Sequence, residues 1–399
     1  MSKQEKGDFP MLLDDAKALA GEIKAFKDDL HRHPELSFQE TRTTGAISAK
    51  LAPLGVELID LGMETGVVAL LRGSKPGKTV ALRADIDAIA QQEPEGPCSS
   101  EVPGVMHACG HDFHTAGLYG AARLLAARRE ALAGDVVFLF QCAEEITRGA
   151  AAMVAHGLWE KLPRKPDCLF GFHNRPELPR GRVAVLPGPI MAGKCHFELT
   201  LHGRAGHGGS PHKCVDVIVP AAAIVQAVQT IVSRSTDPLE SLVCAVCSIH
   251  AGTAENFVPD TLTMTGSIRA HSDGVIAHAR ERIEAITRGV CAAHGCTCEV
   301  RFIPQVPVTW NGPEMTKLAQ KAAEAVVGAE NVAQPRPDLG SEDFAVFGRD
   351  VPAFFYWVGS GFPGQHNPCW HNKGFRTDDG ALPIAAALLA QSALTALEG

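Results

Sequence analysis

No stretch of the 399-residue sequence comes near the roughly 18 uninterrupted apolar residues of a membrane-spanning helix, so nothing in it reads as a bilayer span. Positive charge is scarce too. Lys and Arg number 37 against 45 Asp and Glu, a formal net charge of -8. That balance argues against nucleic acid or an anionic membrane surface as a partner. The opening Met1-Ser2-Lys3-Gln4-Glu5-Lys6 is polar and lacks the apolar core of a secretory signal, so the expected compartment is the cytoplasm. Internal repeats and low-complexity segments are absent from the sequence as well.

What remains is an ordinary globular composition, 45% hydrophobic and 21% charged, in a chain too long for one hydrophobic core. Two domains are expected. The twelve cysteines are scattered and are expected to be reduced, buried and inert. Cys244-x-x-Cys247 and Cys296-x-Cys298 have metal-like spacing but fall in strand-like segments without the context of a zinc motif.

The patterning changes along the chain. The first part alternates helices, expected over residues 14–30, 40–51, 115–129 and 149–156, with short apolar strands at 67–71, 79–82, 136–140 and 168–172. Wholly apolar strands between helices predict a buried, largely parallel sheet. The middle reads β-α-β-β-α-β: strand 195–201, helix 215–233, strands 242–249 and 262–270, helix 275–293, strand 297–302. That order is the ferredoxin-like split unit. The end returns to a strand at 353–358 and a terminal helix after Pro383. The expected architecture is one α/β domain, residues 1–190 and 306–399, interrupted by an inserted α/β sandwich over 191–305.

The chemistry concentrates in Met106-His107-Ala108-Cys109-Gly110-His111-Asp112-Phe113-His114. A thiol and an imidazole on either side of a glycine can turn toward one point, and together they suit a borderline-soft divalent metal. Wound α/β sheets gather ligands where their strands end. Glu144 and Glu145 follow the strand ending at Phe140, and His173 closes the strand ending at Phe172. Adjacent buried carboxylates repel unless a cation or proton neutralises them, so one is read as a metal ligand and the other as a proton carrier. A late histidine completes the set; His371 and His366 occupy the same loop-rich segment, and pattern does not separate them.

With His371 as the fifth, Cys109, His111, Glu145, His173 and His371 offer six bonds if one of them bridges, three for each of two metals. A thiolate bridges readily, so Cys109 is the expected bridge. Asp85 and Asp87 end a strand nearby and are expected to orient ligands rather than bind metal. Arg269 follows a strand of the inserted domain and suits a substrate carboxylate.

Several segments together resemble the hippurate hydrolase and auxin-conjugate amidohydrolase group of peptidase family M-20. They are His31-Arg32-His33-Pro34-Glu35-Leu36, Arg83-Ala84-Asp85-Ile86-Asp87-Ala88, Met106 to His114, and Gln141-Cys142-Ala143-Glu144-Glu145. Further on come Gly206-His207, Asn256-Phe257-Val258-Pro259 and Gly340-Ser341-Glu342-Asp343-Phe344. The resemblance runs nearly end to end. It implies a zinc-exopeptidase-like catalytic domain with an inserted ferredoxin-like lid and dimerisation domain, and hence a homodimer. It implies two divalent metals, manganese or zinc first and cobalt or nickel next, on Cys109, His111, Glu145, His173 and His371, with Glu144 as general base. The family's last ligand stands four residues before an aromatic and eleven before Leu-Pro, which His371 meets with Phe375, Leu382 and Pro383 and His366 does not. His207 would assist the substrate, across the subunit boundary, and Asn256 would contact it.

The implied activity is metal-dependent hydrolysis of N-acyl amino acids to a carboxylic acid and a free amino acid. Metallodipeptidase and N-carbamoyl-amino-acid hydrolase are the alternatives within the same chemistry. A thiol amidase with Cys109 as nucleophile and His111 or His114 as base, and a binding protein without catalysis, are the alternatives outside it. The chain departs from the family pattern at Ile89-Ala90, where Leu-Pro is usual, at Cys142 in place of Pro, and at Gly208-Gly209-Ser210 in place of a small Ala run.

Overall fold

The computed structural model describes residues 11–398. These divide into two compact units. The first comprises the described residues up to Gly188, Trp310–Arg336 and the described residues from Asp343 on; the second comprises Pro189–Thr309 and Pro337–Glu342. The short segment Pro337–Glu342 thus groups with the inserted unit, a pairing that strand and helix patterning gives no means of seeing.

The first unit is built on eight strands in the order Glu57–Ile59, Val67–Leu71, Ala133–Gln141, Lys75–Asp85, Cys168–Pro179, Ala353–Gly361, Val183–Ala184 and Val332–Ala333. Four middle strands, from Ala133–Gln141 to Ala353–Gly361, run parallel. Val67–Leu71 is buried along its whole length, and so is the stretch from Val136 to Gln141. Strands covered on both faces have no polar alternation, which is why they read as continuous apolar runs. Phe138, Phe140, Phe170, Phe172, Phe354 and Tyr356 share one core with helices His111–Ala126 and Leu382–Glu398. Each such side chain contributes roughly 2 kcal/mol by leaving water. The helices approach so closely that a Cβ at Gly120 would stand 2.7 Å from both Ala386 Cβ and Ile23 Cδ1.

Two helix expectations shift. The pattern over 14–30 is two helices, Met11–Ala18 and Ala20–Arg32, with a break at Leu19, where ψ flattens to -2°. The helix expected from residue 115 begins at His111 and ends at Ala126. Its polar first turn hides its start from a reading based on apolar periodicity.

In the second unit, strand Gly193–His202 is followed by helix Ile218–Thr230, strands Leu242–Ala251 and Thr261–Ala270, helix Asp273–His294 and strand Thr297–Val306. The sheet order is Leu242–Ala251, Thr261–Ala270, Gly193–His202, Thr297–Val306, antiparallel throughout. Alternate residues of Gly193–His202 are buried, so one sheet face carries the core with both helices. Cys195, Cys244, Cys291 and Cys296 belong to that core, and all twelve cysteines are free thiols. When interruptions are allowed, two helices among the described residues are long and apolar enough to cross a membrane, Ile218–Ser235 and Asp379–Glu398; the second is mostly buried in the protein.

Candidate metal centre

Within the first unit the candidate residues collect at the carboxyl ends of the parallel strands. Asp85 ends one strand, Glu144 and Glu145 follow the strand ending at Gln141, and His371 lies in the loop beyond Gly361. His173 lies inside a strand that runs on to Pro179 rather than stopping at residue 172. Cys109 and His111 flank Gly110, whose φ of 87° turns the chain into the helix. A Cβ on Gly110 would come within 2.5 Å of Asn174 Nδ2, so glycine serves both the left-handed turn and the close approach. The Asn174 amide donates to the Cys109 carbonyl at 2.5 Å and holds the loop. His371 also has a left-handed backbone, φ 60°, and its N–H donates to Ala108 O at 2.8 Å, tying the late loop to the early one.

The donor atoms meet as two sets. Cys109, His111 and His173 each offer an atom within 4.8 Å of the others, and so do Cys109, Glu145 and His371. Cys109 Sγ lies 3.4 Å from His173 Nε2, and His371 Nε2 lies 3.2 Å from Glu145 Oε2. His173 Nδ1 is occupied by the Asn174 carbonyl at 2.7 Å, which leaves Nε2 with the lone pair. His111 Nδ1 donates to Asp87 at 3.1 Å, which directs its Nε2 to the cluster. Glu144 is buried, and with His111 and Glu145 it forms a third group of the same compactness. His366 is exposed and enters no donor group among the described residues.

Two observations suit a cation. His111 Nε2 and Glu145 Oε1 are buried without a hydrogen-bond partner, and they lie 3.8 Å apart. Orphaned buried polar atoms of opposite kind facing one point are costly unless something fills the gap. Charge points the same way. Burial opposes protonation of His111, yet the Asp85, Asp87 and Glu145 carboxylates outweigh it and push its pKa up to about 10. A site that draws positive charge so strongly is one a divalent ion can satisfy. His173 is held neutral by burial and by its histidine neighbours, as a ligand must be. A thiolate, imidazoles and a carboxylate form a donor set for zinc, manganese, cobalt or nickel.

Of the two histidines weighed as base for a thiol amidase, His114 is not placed for that role. His114 donates through Nδ1 to Asp85 at 2.6 Å and accepts the Asn174 N–H at Nε2, 2.9 Å, so both ring nitrogens are engaged away from Cys109.

Several supporting residues carry no role in the sequence reading, although Arg83, Gln141 and Asp343 lie in its motif segments. Arg83 is fully buried and donates to Gln141 Oε1 at 2.8 Å, Asp85 Oδ2 at 2.9 Å and Asp343 Oδ1 at 3.2 Å. Asp343 also accepts from Gln141 Nε2 at 2.7 Å and from Ala150 N at 3.0 Å, while its own N–H donates to Glu144 Oε1 at 3.4 Å. Asn174 accepts from Ser360 and Trp370. The available signal was polarity in apolar surroundings: Gln141 and Asn174 each sit in a buried strand.

The remaining candidates lie on the second unit. Gly206–His207 pairs with Phe257–Val258, with His207 opposite Phe257, and Gly208 N donates to Asn256 O at 2.8 Å. His207 and Asn256 are therefore neighbours, both exposed. The Gly209 N–H donates to His207 Nδ1 at 2.9 Å, which puts the ring proton on Nε2. Arg269, on strand Thr261–Ala270, donates to Leu339 O at 2.9 Å and Ser341 Oγ at 3.2 Å, so it is tied to the Pro337–Glu342 segment.

A parallel α/β sheet carrying paired sets of thiol, imidazole and carboxylate donors at its carboxyl edge defines a metallohydrolase type of protein. The chain belongs to peptidase family M20/M25/M40, whose model matches residues 81–395. It is 37% identical over 385 residues to the N-acetylcysteine deacetylase of Bacillus subtilis (strain 168), covering 96% of this chain and 98% of that one. It is 36% identical to thermostable carboxypeptidase 2 of Saccharolobus solfataricus over 95% of this chain and 97% of the relative. A solved structure from Bacillus subtilis, a dinuclear metal binding peptidase from the M20 family, superposes with a TM-score of 0.84 at 34% identity, covering 96% of this chain and 99% of that one.

Proposed function

We propose that this protein hydrolyses the amide bond of N-acyl amino acids, releasing a carboxylic acid and a free amino acid, with two divalent metal ions in the first unit. Cys109, His111 and His173 would hold one ion and Cys109, Glu145 and His371 the other, with manganese or zinc the best fit and cobalt or nickel also suited. The reading rests on one observation: Cys109 belongs to two three-donor sets at once, with Glu144 beside them. Bound there, such ions supply Lewis acidity toward the substrate carbonyl and lower the pKa of water.

Glu144 is the proton carrier. Its carboxylate takes a proton from the attacking water and returns it to the leaving amine nitrogen. His207, whose Nε2 carries the ring proton, is assigned as a donor to the oxyanion, across the subunit boundary, and Asn256 as a substrate contact. Arg269 is assigned to the substrate carboxylate, the group that an N-acetyl amino acid and a carboxypeptidase substrate have in common.

We assign the inserted unit, a ferredoxin-like fold, as lid and dimerisation domain of a homodimer. Ile218, Val219 and Val232, exposed along one helical stretch of that unit, support an interface there. Twelve free thiols support a reducing compartment, the cytoplasm.

The test is a substrate panel on metal-stripped enzyme with manganese or zinc added back. It contains N-benzoylglycine, N-acetyl amino acids, N-carbamoyl amino acids and dipeptides. Metal-dependent release of amino acid from the N-acyl compounds is expected, with Glu144→Gln binding metal but losing activity by roughly a thousandfold or more. Preference for carbamoyl compounds or dipeptides moves the assignment to those alternatives. Activity that survives metal removal refutes it.

A further inference from the structure

We propose that Glu40 is a positioning residue for the Glu144–Glu145 pair, holding the left-handed turn at Ala143 that aims both carboxylates into the site; the proposal rests on Glu144 being the base. Ala143 has φ 52° although it is not a glycine, and it is fully buried. An L-residue adopts that conformation only where its surroundings impose it.

The imposing group comes from far away in sequence. The Ala143 N–H donates to Glu40 Oε1 at 2.8 Å. Glu40 occupies the N-cap position of helix Thr41–Leu51, where an acidic side chain would ordinarily bond its own helix, yet it makes no capping bond. It is fully buried instead. Burial and the nearby Asp87 carboxylate push its pKa up to about 7, so the fold keeps this acid where its charge is least welcome.

The rest of the turn is held with comparable care. Arg148 N and Gly149 N donate to the Ala143 carbonyl at 3.2 and 3.1 Å, and Thr147 N to the Glu144 carbonyl at 2.6 Å. At the peptide between the two glutamates, Glu145 N donates to Asp87 Oδ2 at 3.0 Å. The backbone entering the pair is thus held by Glu40 and the peptide joining its two members by Asp87. Removing the first hold frees Ala143 to relax toward an ordinary φ, which rotates the Glu144 carboxylate away from its aim.

The test uses the full-length enzyme loaded with metal, reading kcat, KM, metal content and thermal stability together. Glu40→Ala is expected to lower kcat by roughly ten- to a hundredfold, with KM changed by less than about threefold and metal content retained. Glu40→Gln keeps an acceptor oxygen and is expected to restore most of the rate. Ala143→Gly, placed in the Glu40→Ala background, adopts the turn without strain and is expected to recover kcat as well. If Glu40→Ala does not fold, Glu40→Asp takes its place: it keeps the charge, shortens the reach, and must still lose kcat.

A folded, metal-loaded Glu40→Ala with wild-type kcat overturns the proposal. A loss that neither Gln nor the Ala143→Gly change relieves also overturns it. Glu144→Gln in the same assay keeps the two ideas apart. Inactive Glu144→Gln beside fully active Glu40→Ala removes only the positioning role, whereas active Glu144→Gln removes the base assignment beneath it.

Discussion

Cys109 Sγ stands 3.4 Å from His173 Nε2, and Cys109 also belongs to the donor set of Glu145 and His371, so a single thiol joins two halves of one site. Sharing makes the halves unequal in what they lose on mutation. The halves also draw on different parts of the chain: His111 opens a helix and His173 lies in a central strand, whereas His371 hangs from a loop.

That asymmetry predicts metal stoichiometry. Cys109→Ala should weaken both sites, since each keeps only two protein donors of three. His371→Ala should weaken one, leaving the Cys109, His111 and His173 set whole. Atomic-emission measurement after dialysis against a weak chelator is expected to give about two metals for wild type, about one for His371→Ala and less than one for Cys109→Ala. Equal loss in the two variants would exclude the bridging role of Cys109.

Arg83 predicts a stability effect separate from metal binding. It is fully buried and bonds two fully buried carboxylates, Asp85 and Asp343. Burial works against the Asp85 charge, but His111, His114 and Arg83 overcome it and hold the carboxyl well below its usual range. Arg83→Met leaves both acids without their guanidinium and is expected to cost about 3–5 kcal/mol in urea unfolding. Arg83→Lys is expected to restore little, because one ammonium cannot replace three directed N–H bonds. A Lys variant as stable as wild type would show that charge alone suffices.

The contrast between legible and hidden parts follows from the kind of signal each carries. The parallel strands were readable because Val136 to Phe140 and Cys168 to Phe172 are apolar without interruption, and the second unit because its strands and helices follow a familiar order. Cys109 and His111 were readable because glycine between two donors has few other uses. Resemblance to known enzymes, rather than spacing, separated His371 from His366. Glu40, Asn174 and Asp343 were not assigned because their partners lie 103, 65 and 202 positions away, at Ala143, Cys109 and Gln141. No local periodicity encodes a hydrogen bond across such distances. The early start of the helix at His111 was hidden for a related reason: its first turn is polar because it faces chemistry, not core.

His31 gives the last prediction, through pH. Its Nδ1 bonds Asp112 at 2.8 Å and its Nε2 bonds Glu93 at 3.1 Å, with the imidazole mostly buried between them. Both ring nitrogens face carboxylates, so the ring is doubly protonated. Burial opposes that charge, but the Asp112 carboxylate and the two hydrogen bonds prevail and raise the pKa from 6.5 to about 9. A pKa raised on folding means the folded state binds the proton more tightly than the unfolded state. The resulting stabilisation is complete below about pH 6.5 and fades as pH rises through about 9. Its ceiling is about 3 kcal/mol, because each tenfold gain in proton affinity corresponds to about 1.4 kcal/mol. Other groups titrate above pH 9, so the comparison is with His31→Gln, which carries no titrating proton. Thermal melts at pH 6.5 and pH 9.5 should show the wild type losing more stability than His31→Gln over that interval, with the two converging at the alkaline end. Parallel curves for the two proteins would mean that His31 is neutral in the folded state and that Asp112 is held by other partners.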